Sequence, residues 1–145
     1  MTLPLPELGM VIHHRYLSQR EDVAGAEERR KDRPCAIVAA ITRTHDETRL
    51  VGLPITHSPP SEITRAIEIP VRVKKSLGFD PEHSWIVVTE GNDFIWPGPA
   101  LRPHIQGDLT TITYGFLPPL LLEAVRRRFL EIYKSGEART VKRTE

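Results

Sequence analysis

Four residues of this chain have side chains suited to binding an anionic group or moving protons around it. Each falls at a boundary in the sequence. Arg33 precedes Pro34 and the apolar run Cys35-Ala36-Ile37-Val38-Ala39-Ala40-Ile41, so it stands at the mouth of a buried strand. A planar guanidinium there suits phosphate oxygens. His57 follows Thr56 directly, and an imidazole titrates near neutrality, which suits it to acid–base work. Thr56 offers a hydroxyl to an anionic oxygen. Glu90 ends the run Ser84-Trp85-Ile86-Val87-Val88-Thr89, and a carboxylate partly withdrawn from water is a base. Each has a plainer alternative: a strand-end salt bridge for Arg33, strand chemistry for Thr56, an exposed loop imidazole for His57 and a solvated turn acid for Glu90.

Other residues carry less chemistry. His13 and His14 alternate across a strand, so only one faces a given site. Neither has the matching His or carboxylate spacing of a metal site, and no metal is expected. Trp85 and Trp96 have faces on which a base can stack, although strand aromatics more often fill cores or interfaces. Arg126-Arg127-Arg128 reads as a solvated helix face, and Cys35 as an inert buried thiol.

The elements that must position these residues are short. Gly9 to Leu17 reads as a first strand and residues 18–32 as a long charged loop. Residues 35–42 form the central strand, with Pro34 at its start because proline cannot donate to a ladder. A turn at 44–47 leads to a partner strand over 49–56, which Pro54 bends or confines to an edge. Residues 57–61 form a rigid loop. Ala66 to Pro70 reads as a short strand, preceded by a capped turn over 61–65. Val71 to Leu77 forms a short helix ended by Gly78. Ser84 to Glu90 is a second strong strand, and Phe94 to Trp96 a short one. A Pro-rich segment at 96–103 and a turn at 105–108 precede β-branched Thr110 to Gly115. A helix starts at Leu117-Pro118-Pro119, carries the stripe Leu122, Val125, Phe129, Ile132 and Tyr133, and ends at Gly136. This pattern predicts a mainly β (α+β) fold: a small curved sheet or barrel covered by a C-terminal helix. Residues 1–8 read as a flexible lead-in, 9–136 as a single domain and 137–145 as a frayed tail.

The totals exclude several classes. The chain has 145 residues, enough for a real core in one domain. A net charge of +1 argues against a global basic field, so any nucleic-acid surface is a local patch. One cysteine excludes an internal disulfide and a Cys-based zinc cluster. The N-terminus lacks the basic and apolar regions of a signal peptide, and no apolar run reaches membrane-spanning length. A cytoplasmic protein is expected.

The order of pieces resembles the PemK/MazF (Kid, CcdB-like) family of bacterial toxins over roughly residues 9–135. The resemblance rests on the glycine-led first strand, a polar loop with Ala24-Gly25 and Glu27 or Glu28, Arg33-Pro34 opening an apolar strand, Leu53-Pro54-Ile55-Thr56, the acid Glu90 and the C-terminal helix. It implies an SH3-like barrel and a dimer. It also implies a metal-independent, cofactor-free endoribonuclease that cuts single-stranded RNA and is blocked by an antitoxin protein. Arg33 matches the family's Arg-Pro arginine, Thr56 its Pro-Val-Thr threonine, and Glu90 the position of an acid. Cleavage through a 2′-hydroxyl then uses Arg33 on phosphate, Glu90 as base and His57 as acid, with Thr56 bonding phosphate and His13 and Trp85 contacting RNA. Two residues before the acid, where the Kid branch has an Arg, this chain has Val88. That departure supports the alternative of an SH3-like binding module that has lost the nuclease.

Overall fold

A computed structural model describes residues 6–16, 31–43, 48–96, 112–136 and 138–142. Residues 18–30 of the expected loop at 18–32 lie outside these, while its last two residues are strand and not loop. The turn at 44–47, residues 97–103 of the Pro-rich segment at 96–103, the turn at 105–108 and the first five residues also lie outside.

The frame is an eight-stranded sheet: β1 (Met10–Tyr16), β2 (Lys31–Arg43), β3 (Thr48–Thr56), β4 (Ala66–Glu68), β5 (Trp85–Val87), β6 (Glu90–Trp96), β7 (Thr113–Phe116) and β8 (Arg139–Lys142). Its main path runs β4-β5-β3-β2-β1-β7, with β6 added beside β3 and β8 beside β6. Among the described residues all pairs are antiparallel except β6 with β8. Among the described residues two helices complete it, α1 (Val71–Leu77) and α2 (Pro119–Lys134), with a 3₁₀ turn at Ile63–Arg65. No helix among the described residues is long and apolar enough to cross a membrane.

The central strand is longer than the apolar run predicts. β2 begins at Lys31, so Pro34 lies inside it rather than at its start. The proline is tolerated because, among the described residues, β2 pairs there with β1 alone: the β3 register begins one residue later, at Cys35 opposite Pro54. Further along, two register shifts against β3, between Ile37 and Ala39 and between Ala40 and Thr42, bulge the strand. Bulges add twist and bend a strand. Among the described residues the sheet nevertheless does not close. Its end strands β4 and β7 do not pair with each other, so the closed barrel is not observed.

Alternation along β1 and β2 sends Val11, Ala36 and Val38 to one face and Met10, Ile12, Cys35 and Ile37 to the other. Both faces are therefore packed. The first receives Val73 and Leu77 of α1 and Val125 and Phe129 of α2. The second gathers Leu50, Phe94, Trp96 and Ile112. Gly52 is required on that second face: a Cβ there would lie 2.3 Å from Cys35 Sγ. The stripe on α2 is narrower than its spacing suggests, since Tyr133 stays half exposed.

Three further expectations are corrected. Pro54 is not in an edge strand, because β3 is flanked by β2 on one side and by β5 and β6 on the other. Pro54 instead marks a break in that second side. Between the pairs Ile55–Ile86 and Gly52–Asn92, two residues of β3, Leu53 and Pro54, face five of the outer chain, Val87 to Gly91. A strand missing an N–H is a natural place for its neighbour to leave the ladder. The expected single strand 84–90 is thus two, and Glu90 opens β6 rather than ending β5. The tail is not frayed throughout, because Arg139–Lys142 adds to β6 in parallel.

Candidate functional site

The site grows from the end of β3 and the loop after α1. Val71–Leu77 forms a helix because Pro70 presets its start and Gly78 ends it in the left-handed region, φ 73°, with its N–H bonded back to Lys74 and Lys75 carbonyls. That glycine turns the chain into the polar loop Phe79-Asp80-Pro81-Glu82-His83-Ser84. Lys74 then anchors the loop from beneath. It is 3% exposed, and its ammonium donates to the carbonyls of Pro81 at 3.2 Å and Glu82 at 2.7 Å. A buried ammonium without such acceptors would be too costly to keep. Within the loop, the Glu82 N–H donates to Asp80 Oδ1, which leaves Asp80 Oδ2 directed elsewhere.

His57 completes the arrangement from β3. Its Nδ1 lies 2.9 Å from the His83 carbonyl oxygen, so Nδ1 carries the proton and donates it there. Ser84, buried, places its hydroxyl 3.3 Å from the same nitrogen. On the opposite side, His57 Nε2 lies 3.3 Å from Asp80 Oδ2 and 3.6 Å from Glu82 Oε2. The imidazole's pKa is raised above its ordinary value, first by the bond to the His83 carbonyl and then, against a smaller loss to burial, by the two carboxylates. His83 in turn pairs with Glu68 and stacks on Trp85 at 5.8 Å and 20°.

Beside this cluster lies a cleft of about 500 Å³. Pro34, Ile55, Phe79 and Tyr114 supply its apolar walls, and Thr56, His57, Asp80 and Ser84 its polar rim. Tyr114 stands edge-on to Phe79 at 5.1 Å and to His13 at 6.0 Å. Such a cleft offers aromatic surface, a hydroxyl and an imidazole oriented with one nitrogen on a backbone carbonyl and the other facing two carboxylates.

The expected site residues are only partly united. Thr56 and His57 share the cleft rim. Thr56 also caps the turn after it, its Oγ1 accepting from the Ser58 N–H. His13 meets the cleft through Tyr114, and Trp85 stands behind His83 rather than in the cleft. Glu90 is not among the described residues that line it. It is half-buried and in register with Arg139 of β8. Arg33 lies opposite His14 in the β1–β2 ladder, one residue before Pro34, and its side chain is outside the described residues. Val88 is fully buried in the core, its N–H donating to the Arg65 carbonyl.

Sequence reasoning missed Asp80, Glu82, Ser84 and Lys74. One signal was present: two acids, a histidine and a serine crowd between a helix-ending glycine and a strand. The burial of Lys74 had none. No family model, curated protein or solved structure matches the chain.

Proposed function

We propose that the chain is a toxin-like endoribonuclease whose chemistry is centred on His57 rather than Glu90. On this reading the bulged sheet is an open relative of the SH3-like barrel, the substrate is single-stranded RNA and an antitoxin protein is the controlling partner. The observation that carries it is the oriented imidazole beside Thr56: Nδ1 tied to the His83 carbonyl, Nε2 presented at the rim of an aromatic-walled cleft. In the cleavage step a carboxylate beside His57, Asp80 or Glu82, accepts the 2′-hydroxyl proton. The 2′-oxygen attacks phosphorus, and the 5′-oxygen leaves with a proton from His57 Nε2. A 2′,3′-cyclic phosphate remains. Thr56 bonds a phosphate oxygen, Arg33 is the candidate cation for the developing charge, and Phe79 and Tyr114 stack bases.

The test is cleavage of a long single-stranded RNA in excess EDTA by the wild type, His57→Gln, Thr56→Val and Glu90→Gln. The expected result is cutting by the wild type and by Glu90→Gln, loss of at least roughly a hundredfold in His57→Gln, and a smaller loss in Thr56→Val. Wild type that cuts no RNA rejects the nuclease. The second reading, a binding module on the same fold, would then hold. It is favoured by the place of Glu90 outside the cleft lining and of Val88 in the core.

A further inference from the structure

The geometry points to a binding site for a first-row divalent cation formed by His57 Nε2, Asp80 Oδ2 and Glu82 Oε2. His57 commits its Nδ1 proton to a backbone carbonyl, so in the neutral ring the Nε2 lone pair faces two carboxylate oxygens. An imidazole held by a carbonyl at one nitrogen while the other coordinates a metal is the usual outer-shell arrangement of a histidine ligand. The spacing fits as well. Ligand bonds of about 2.0–2.2 Å in a tetrahedron put neighbouring ligand atoms roughly 3.4 Å apart. The imidazole–carboxylate distances are 3.3 and 3.6 Å, and all three ligand atoms lie within 4.8 Å of one another.

The Asp80 carboxylate and the loop backbone that carries Glu82 are also placed before any ion arrives. Asp80 is turned by the bond from the Glu82 N–H, and buried Lys74 holds the Pro81 and Glu82 carbonyls. Two strand-separated segments therefore present one nitrogen and two oxygens to solvent, leaving outward positions for water. A nitrogen–oxygen set of this kind suits Zn²⁺, Mn²⁺ or Co²⁺ better than Mg²⁺, which seldom uses imidazole. The site does not depend on RNA cleavage. Where cleavage occurs, a cation on Nε2 removes the acid, so the same ion is an inhibitor and not a cofactor.

The test is calorimetric titration of the full chain with Zn²⁺ at neutral pH. Binding should involve one ion per chain with a low-micromolar Kd. His57→Gln and Asp80→Asn should each weaken it roughly tenfold or more, and circular dichroism should show both variants folded. Co²⁺ should broaden the amide resonances of His57, Asp80, Glu82 and His83 while leaving those of β1 sharp. No binding at about 1 mM Zn²⁺ overturns the proposal. So does a one-site isotherm unchanged in the His57→Gln/Asp80→Asn double variant, which would put the ion at another histidine. Neither result bears on cleavage in EDTA, so this inference and the nuclease reading fail independently.

Discussion

Replacing Lys74 with Met separates the anchoring of the site from the chemistry at it. The side chain stays long and apolar, so packing under the loop is kept, but the two bonds to the Pro81 and Glu82 carbonyls go. Hydrogen bonds from a charged donor contribute about 1.5–3 kcal/mol each, or about 3–6 kcal/mol together. Two effects oppose that loss. Methionine no longer requires an ammonium to be dehydrated, a cost of several kcal/mol. Pro81 and Glu82 are exposed, so water replaces the missing donor. The net expectation is destabilisation by about 1–3 kcal/mol. With a urea slope near ~2 kcal/mol/M, the midpoint falls by about 0.5–1.5 M. A second readout is specific to the site. Once the loop is loosened, the His83 carbonyl no longer holds His57, and the imidazole's pKa, followed by proton NMR, returns toward its ordinary value. A midpoint that is unchanged or higher would mean dehydration of the ammonium outweighs its bonds. A His57 titration unmoved by the substitution would show that Lys74 does not hold the loop.

Other outcomes follow from the same geometry. In the wild type, His57 should titrate above the usual histidine value, and Asp80→Asn combined with Glu82→Gln should lower it. Because the folded pKa is raised, His57's contribution to stability is fully present below about pH 6.5 and is lost as pH rises through the folded pKa. Urea midpoints measured across that interval check the sign. Gly52→Ala should cost about 1–3 kcal/mol, since its methyl would meet Cys35 Sγ, and Cys35→Ala should recover part of that loss in the double variant. Cys35 is fully buried and burial pushes its thiol pKa up, so a thiol reagent at mildly alkaline pH should label it only at the rate of unfolding.

What the sequence determined by itself was local. Pro119 at the start of α2, Gly78 at the end of α1 and the apolar run in β2 depend on neighbouring residues, through fixed φ, freedom in the left-handed region and short-range hydrophobic pattern. Those signals carried the mainly β fold with its C-terminal helix, and they set Thr56 and His57 at a strand end. The rest depended on partners far along the chain. Val88-Thr89-Glu90 looks like the end of a strand until Pro54 leaves its neighbour without a ladder partner, and Glu90 then opens β6 beside β8. Arg139–Lys142 has no strong strand pattern and becomes one by pairing with β6. His57 and His83 stand 26 residues apart, and only the pairing of β3 with β5 brings the imidazole against the carbonyl and carboxylates of the loop. Lys74 reads as a surface lysine because sequence pattern records polarity. Its burial follows from two carbonyl acceptors that exist only once the loop has folded over it.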